Sequence, residues 1–441
     1  MKYEIAESNE TIITHTGSVL IGSLLKHTEL QERLNSVKVT EEPIITNSDC
    51  VFAYIGTLSQ GKPAFEAVEE FRGDVFFADS LGIGQIPSTS IMRQRFDAAG
   101  TQFNEIITEE ACRLLRNINA QVTPCYREFT ALDIDVSPFD NSNTKKEGVS
   151  WTYKCFNGYS PIFAYLGEEG WCVNVEFREG SQHCQNNTPE FLGESIKNAK
   201  KATDQPILVR MDSGNDAVDN IVVMQNSETK ADFIIKRNPR QESAQFQWDC
   251  AVDRGIEIKN TRDGKRIFVY ELNSKLKNCP ENVRIIYFVT ERTSKADGQM
   301  LLVAEYEIES YYTSLKTDTA TSSQIQNLYH AHGTSEQFHS EIKTDLDLER
   351  LPSGKFATND LVLHMGVLTY NLLRLVGQES LKNNDYPPTA HKVKRRRIRT
   401  IIQNYMTIAA KLVAHAKKLW LKFGRNNPWL KSFKRIYATF A

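Results

Sequence analysis

Four residues between positions 329 and 343 carry side chains suited to phosphate chemistry: Tyr329, His332, Glu336 and Lys343. On a helix turning about 100° per residue they fall within roughly 60° of one another, while Glu341 lands near 120° away. A phenol, an imidazole, a carboxylate and an ammonium on one face suit a site that handles phosphate and metal. A solvated helix face with incidental charges is the plain alternative. Two other stretches offer acids. Ala131-Leu-Asp-Ile-Asp-Val-Ser137 alternates apolar and acidic residues with the period of a strand and points Asp133 and Asp135 to one side. Acids buried at a strand end are costly unless they bind something; acids open to water are the alternative reading. Pro206 to Met211 is a short apolar run ending in Asp212-Ser-Gly, which sets an acid at the carboxyl end of a strand, where α/β folds keep their sites. Asp216 and Asp219 read instead as helix-start residues. Three acids brought to one place would suit in-line displacement at a phosphodiester, with two Mg²⁺ or Mn²⁺ ions held by oxygen ligands. His330, His332 and His339 lack the carboxylate pattern that a zinc site would add.

The spacing at 329–343 resembles the Y-x2-R-x3-E-x6-K signature of DDE-type bacterial insertion-sequence transposases. Tyr329, Glu336 and Lys343 match it, and His332 stands where that family usually carries arginine. The stretches that follow are similar too: Asp345-Leu346-Asp347, Leu351-Pro352-Ser353, Phe356-Ala357-Thr358-Asn359 and Leu368-Thr369-Tyr370-Asn371-Leu372. The resemblance covers nearly the whole chain and is strongest to the insertion-sequence group numbered thirteen-eighty. It implies an α/β fold with a ribonuclease-H-like catalytic core interrupted by an all-β insertion domain. It also implies a DNA transposase that binds terminal inverted repeats, cuts the ends and joins a 3′-hydroxyl to target DNA.

The catalytic, metal-binding acids implied are Asp135, Asp212 and Glu336. Asp135, followed by Val136 and Ser137, fits the family's first motif better than Asp133, which is kept as the alternate. Asp212-Ser-Gly fits the second, with Asn215 in place of the usual aromatic residue. Asp135 would bridge both ions, Asp212 hold one and Glu336 the other. Tyr329, His332 and Lys343 would contact DNA. The mechanism of the class implies a homodimer on paired ends, acting on double-stranded DNA in the bacterial cytoplasm.

The elements that must position these groups divide the chain into five parts. Residues 1–125 read as a helical DNA-binding region. Within it Ser88 is a fair N-cap, Met92 and Phe96 would face the core, and Arg93 and Arg95 would stay partly free, as on a recognition helix. Residues 126–220 and 321–380 form the two parts of the core. Between them, 221–320 reads as short strands at 232–236, 244–249, 266–272, 283–290 and 301–309 with polar turns. Asp212 and Glu336 are 124 residues apart, far beyond the roughly 30 to 40 of a direct crossover, so an insertion is expected here. Trp248 in it is a candidate for stacking on an unpaired base, or an ordinary core residue. Residues 381–441 read as a basic helical region, with Lys392, Lys394, Arg395, Arg396, Arg397 and Arg399 clustered ahead of a basic amphipathic helix over 401–420.

At 441 residues the chain exceeds one ordinary domain, and its 40% hydrophobic content supports a real core. The net charge of −2 conceals a polarity. The last 51 residues hold 14 Lys and Arg with no acid, which leaves 39 basic against 55 acidic residues before them. A basic tail beside an acidic core fits a nucleic-acid binder with metal-holding acids. The N-terminus lacks an apolar signal region, and no apolar run approaches about 20 residues, so neither export nor membrane insertion is expected. Eight scattered cysteines, none in a C-x2-C pair, argue against zinc and disulfide scaffolds. Two other functions stay open on sequence alone: a metal-dependent nuclease without strand transfer, and a non-catalytic DNA-binding regulator.

Overall fold

The computed structural model describes all residues except 1–2, 42, 259–261, 296, 389–392 and 416–417. Lys392 of the basic cluster and Lys417 of the expected tail helix therefore lie outside the described residues.

A nine-stranded mixed sheet organises the molecule. Its strands are β1 (Thr130–Val136), β2 (Ile162–Leu166), β3 (Trp171–Glu176), β4 (Ile207–Met211), β5 (Asp232–Lys236), β6 (Ile256–Ile258), β7 (Lys265–Ser274), β8 (Val283–Ser294) and β9 (Met300–Thr313). In space they run β6-β7-β8-β9-β5-β4-β1-β2-β3. β1, β4 and β5 are parallel to their neighbours within that trio; β2, β3 and the β6–β9 meander join antiparallel. All five residues of β4 are buried, as befits a central strand covered on both faces. The β1–β4 register pairs Asp133 with Arg210 and Ile134 with Met211. One residue further along, Asp135 and Asp212 become neighbours on the same face, because side chains alternate with period two.

Helices cover the sheet. Thr188–Ala202 links β3 to β4, and the 26-residue helix Phe356–Leu381 joins β3 to the N-terminal helices Asn47–Leu58 and Asn104–Asn117 in one continuous apolar core. The residues around Glu336 make a broken helical run rather than one straight helix. Ser322–His330 is α-helical, Ala331–Thr334 tightens to 3₁₀, Ser335–Ser340 is α-helical, and Glu341–Asp345 widens to a π-turn.

Three expectations need correction. Residues 244–249 are not a strand but the start of helix Ala244–Arg254, capped by the Ser243 hydroxyl and stopped at Gly255. Ala-Gln-Phe-Gln-Trp-Asp contains no β-branched residue, and Trp248 and Ala251 are spaced for one helical face. The segment 401–420 is likewise not one amphipathic helix. A short helix, Ile398–Ile401, runs through a π-turn into an antiparallel hairpin of Ala410–His415 and Lys418–Phe423. Its Phe423 ring lies 5.0 Å from that of Phe433, and Leu412 and Leu421 line the same cavity.

Arg95 is the third. Ser88 does cap helix Thr89–Ala99, and Met92 and Phe96 are in the core. Arg95, however, is buried and donates to Asn47 Oδ1 at 2.6 Å and to the Ile45 carbonyl at 3.0 Å. Arg95→Ala strands both acceptors and is expected to cost about 2–4 kcal/mol in chemical denaturation. DNA affinity at matched folded concentration should not change.

Candidate active site

Asp135 leaves β1 and Asp212 leaves β4 at the carboxyl ends of adjacent parallel strands. Glu336 sits in the first turn of Ser335–Ser340, which lies across that end of the sheet. All three line one open cleft of about 950 Å³, together with Tyr329, His332, His339, Lys343, Tyr153 and Lys154.

Each acid is held differently. Asp135 Oδ2 accepts from Ser335 Oγ at 3.1 Å and from His339 Nε2 at 3.1 Å. The carboxylate cannot donate, so His339 Nε2 carries a proton, and its Nδ1 lies 3.1 Å from the Tyr165 hydroxyl. Burial works against the Asp135 charge, but the His339 bond and the charges of His339 and His332 outweigh it and hold the carboxyl below its ordinary range. Asp212 Oδ1 accepts from the Gly214 amide at 3.1 Å and from Asn215 Nδ2 at 2.8 Å. Burial, with Asp135 alongside, pushes Asp212 above the carboxylate range. Two carboxylates crowded in this way favour a cation between them. Glu336 is exposed, and no hydrogen bond engages its carboxylate among the described residues.

Asp133 is a different kind of acid. It is 2% exposed, and both its oxygens are taken by Arg210, at 2.6 and 2.7 Å, with His332 Nδ1 at 2.9 Å. Unlike Asp135, it does not line the cleft.

A family model described as transposase DDE domain group 1 matches residues 2–441. The chain belongs to that family: it is a DDE-type transposase. No curated protein matches it significantly. Among solved structures it is similar to a cryo-EM structure of the piggyBac transposase synaptic complex with hairpin DNA, at 8% identity and a TM-score of 0.39. That match covers 89% of this chain and 80% of the other.

DDE transposases catalyse phosphoryl transfer and generally use divalent metal ions. Among the described residues, no three His, Cys, Asp or Glu side chains are grouped tightly enough to hold an ion as they stand. The donor set nonetheless suits a hard cation. Its members are oxygen ligands, Asp212 and Asp135 repel each other, and Glu336 has no competing partner among the described residues.

The transposase treats the other sequence candidates unevenly. Tyr329 lines the cleft, with its ring 5.1 Å from Tyr311 and 6.0 Å from His332. Lys343 also lines it, but its ammonium donates to the Pro138 carbonyl at 2.5 Å and lies 3.5 Å from Glu349. His332 also lines the cleft, but it is buried and its Nδ1 is bonded to Asp133. Arg93 is exposed and paired with Glu66. Trp248 is buried against Phe268 and Tyr306 in the core beneath the β6–β9 meander, which corrects its reading as a base-stacking residue.

The basic cluster folds back onto the glutamate run. Arg395 donates to Gln337 at 2.6 Å and covers Phe338, while Arg397 and Arg399 both meet Asp345. Arg396 is buried between Tyr386 and Trp429, so it is a packing residue and not a DNA contact. Lys394 is 84% exposed and 2.9 Å from Glu168.

Sequence reasoning gave His339 and Asn215 no part in holding the acids, and passed over Ser335, Tyr153 and Lys154. His339 had a signal, since it lies three residues after Glu336 and so on a neighbouring helical face. Tyr153 and Lys154 had none, because only the folding of the β1–β2 connection brings them to the cleft.

Proposed function

We propose that this transposase binds the terminal inverted repeats of an insertion sequence, cuts the ends and joins the freed 3′-hydroxyl to target DNA. The observation that carries the reading is the meeting of Asp135, Asp212 and Glu336, from three separate parts of the chain, on one cleft. The strand order β3-β2-β1-β4-β5, with β2 antiparallel to both neighbours, is what a ribonuclease-H-like core would have. On this reading β6–β9 belong to the insertion that separates the second acid from the glutamate.

Asp135, Asp212 and Glu336 would together hold Mg²⁺ or Mn²⁺. Such ions would supply Lewis-acid activation of the attacking oxygen and charge stabilisation for the leaving one. His339 and Ser335 hold Asp135 in one orientation, and Asn215 does the same for Asp212, so neither carboxylate must reorganise when its ligand arrives. Tyr329 and Lys343 would orient the strand being cut, and a homodimer would pair two ends. No protein side chain needs to become covalently attached.

The test incubates the protein with Mg²⁺, duplexes of the element's own terminal repeat and a target plasmid. Joined donor–target products are expected on a denaturing gel. Nicked ends without joined products would favour the nuclease, and no processing at all would overturn the proposal.

A further inference from the structure

The connection between β1 and β2 is a built structure. Ser150–Trp151 pairs with Asn157–Tyr159, and the turn between them is pinned by buried Thr152, whose amide and hydroxyl both donate to the Phe156 carbonyl, at 2.8 and 2.9 Å. Cys155 adopts a left-handed backbone at φ 64° and closes the turn onto Thr152.

This rigid turn presents Tyr153 and Lys154 to the cleft. The Tyr153 hydroxyl donates to the carbonyl of Val136, the residue after Asp135, at 3.2 Å. Burial of the hydroxyl end, with Asp135, Asp212, Cys184 and Glu336 around it, raises the phenol and keeps it a donor. Tyr153 as a residue is 61% exposed, and among the described residues no aromatic ring packs on its own. The Lys154 ammonium lies 5.4 Å from the ring centre. A large aromatic face anchored at its polar tip and left open to water beside reactive carboxylates is a binding surface without its ligand.

We infer that Tyr153 is a stacking platform for an unpaired nucleobase adjoining the scissile phosphate, with Lys154 taking the neighbouring phosphate. The inference rests on the proposed DNA cleavage in this cleft. The chemistry selects the ligand: carboxylates that hold cations select a phosphodiester, and the ring beside them offers a π-face to the base attached to it. A base inside a duplex is already stacked on its neighbours, so the base taken here is one at a frayed end or flipped out. A base–aromatic contact tolerates any of the four bases, so the platform fixes the position of the cut strand without reading its sequence.

The test places 2-aminopurine next to the cleavage position in the terminal-repeat duplex and holds the complex uncut in Ca²⁺. Wild type is expected to quench the probe by stacking. Tyr153→Phe should keep the quench, while Tyr153→Ala should lose it and bind roughly tenfold more weakly. Trp151→Ala is the control, since Trp151 is 58% exposed on the same hairpin but does not line the cleft, and it should behave as wild type. Bound DNA should also shield Cys155, the exposed thiol at the turn, from N-ethylmaleimide. A wild-type quench in Tyr153→Ala, or undiminished alkylation of Cys155 in the complex, overturns the inference. A wild type that neither binds nor cuts the repeat would instead defeat the proposed function.

Discussion

Asp212→Asn is expected to lower end cleavage and strand transfer by at least about a thousandfold, roughly 4 kcal/mol of barrier. The folded protein and its DNA complex should survive intact. Glu336→Gln and Asp135→Asn should lose as much activity, since each removes a charged oxygen ligand. What separates a catalytic acid from a structural one here is stability. Asp212 is held above the usual carboxylate range by burial and by Asp135, so in the absence of cations its charge works against the fold. Asparagine removes that repulsion and keeps an oxygen for the Gly214 amide to bond. The melting temperature of metal-free Asp212→Asn should therefore equal or exceed that of wild type. Binding of end DNA in Ca²⁺ should still be measurable. If Asp212→Asn left cleavage, joining and binding all untouched, the acids would be inert and the DNA-binding regulator would become the better reading.

The sequence could reveal the acids because their patterns are local. Alternation around Asp135 and the apolar run before Asp212 mark strands whose ends carry a charge, and both strands formed with those ends at the cleft. Periodicity also placed Glu336, Tyr329 and Lys343 on one side, and all three line the cleft even though 3₁₀ and π-turns interrupt the helix between them. Basic residues were less legible, because a charge in sequence does not say what it will face. Arg95 and Arg396 turned inward to satisfy buried oxygens and rings, and Arg397 and Arg399 share Asp345. The tail hairpin was misread because Ile401 to Trp420 also shows apolar spacing that suits a helix. The strand form is favoured by contacts distant in sequence: Ala410 and Lys411 pair with Ile13 and Ile12, and Phe423 packs on Phe433. Tyr153 was invisible for a simpler reason: an aromatic residue among Trp151, Thr152 and Phe156 reads as part of a strand, and only the turn at 152–156 turns it to the cleft.

Asp133 and Asp135 are two residues apart on one strand, yet opposite outcomes are expected of them. Asp133 is sealed beneath the glutamate run, and its two oxygens neutralise Arg210, which is 4% exposed and also donates to the Leu328 carbonyl at 2.8 Å. Asp133→Asn leaves the guanidinium charged in a buried setting. Breaking a buried pair from one side costs about 3–5 kcal/mol, enough to read directly in urea unfolding. Asp135→Asn should change the same measurement by less than about 1 kcal/mol, because its partners are a hydroxyl and an imidazole at the cleft wall.

pH sharpens the distinction. Burial opposes the Asp133 charge but Arg210 and His332 prevail and depress its pKa, so its contribution is present above the unfolded value near 3.9 and fades as pH falls through the folded one. His332 behaves in the opposite sense. Burial would lower it, but the bond to Asp133 raises it, so its contribution is complete below about 6.5 and is lost as pH rises through the folded value. The stability gap between wild type and Asp133→Asn should therefore be larger at pH 5 than at pH 8.5. A gap that is flat across that range would mean that His332 is not coupled to Asp133, and that the histidine in the signature's arginine position faces the DNA after all.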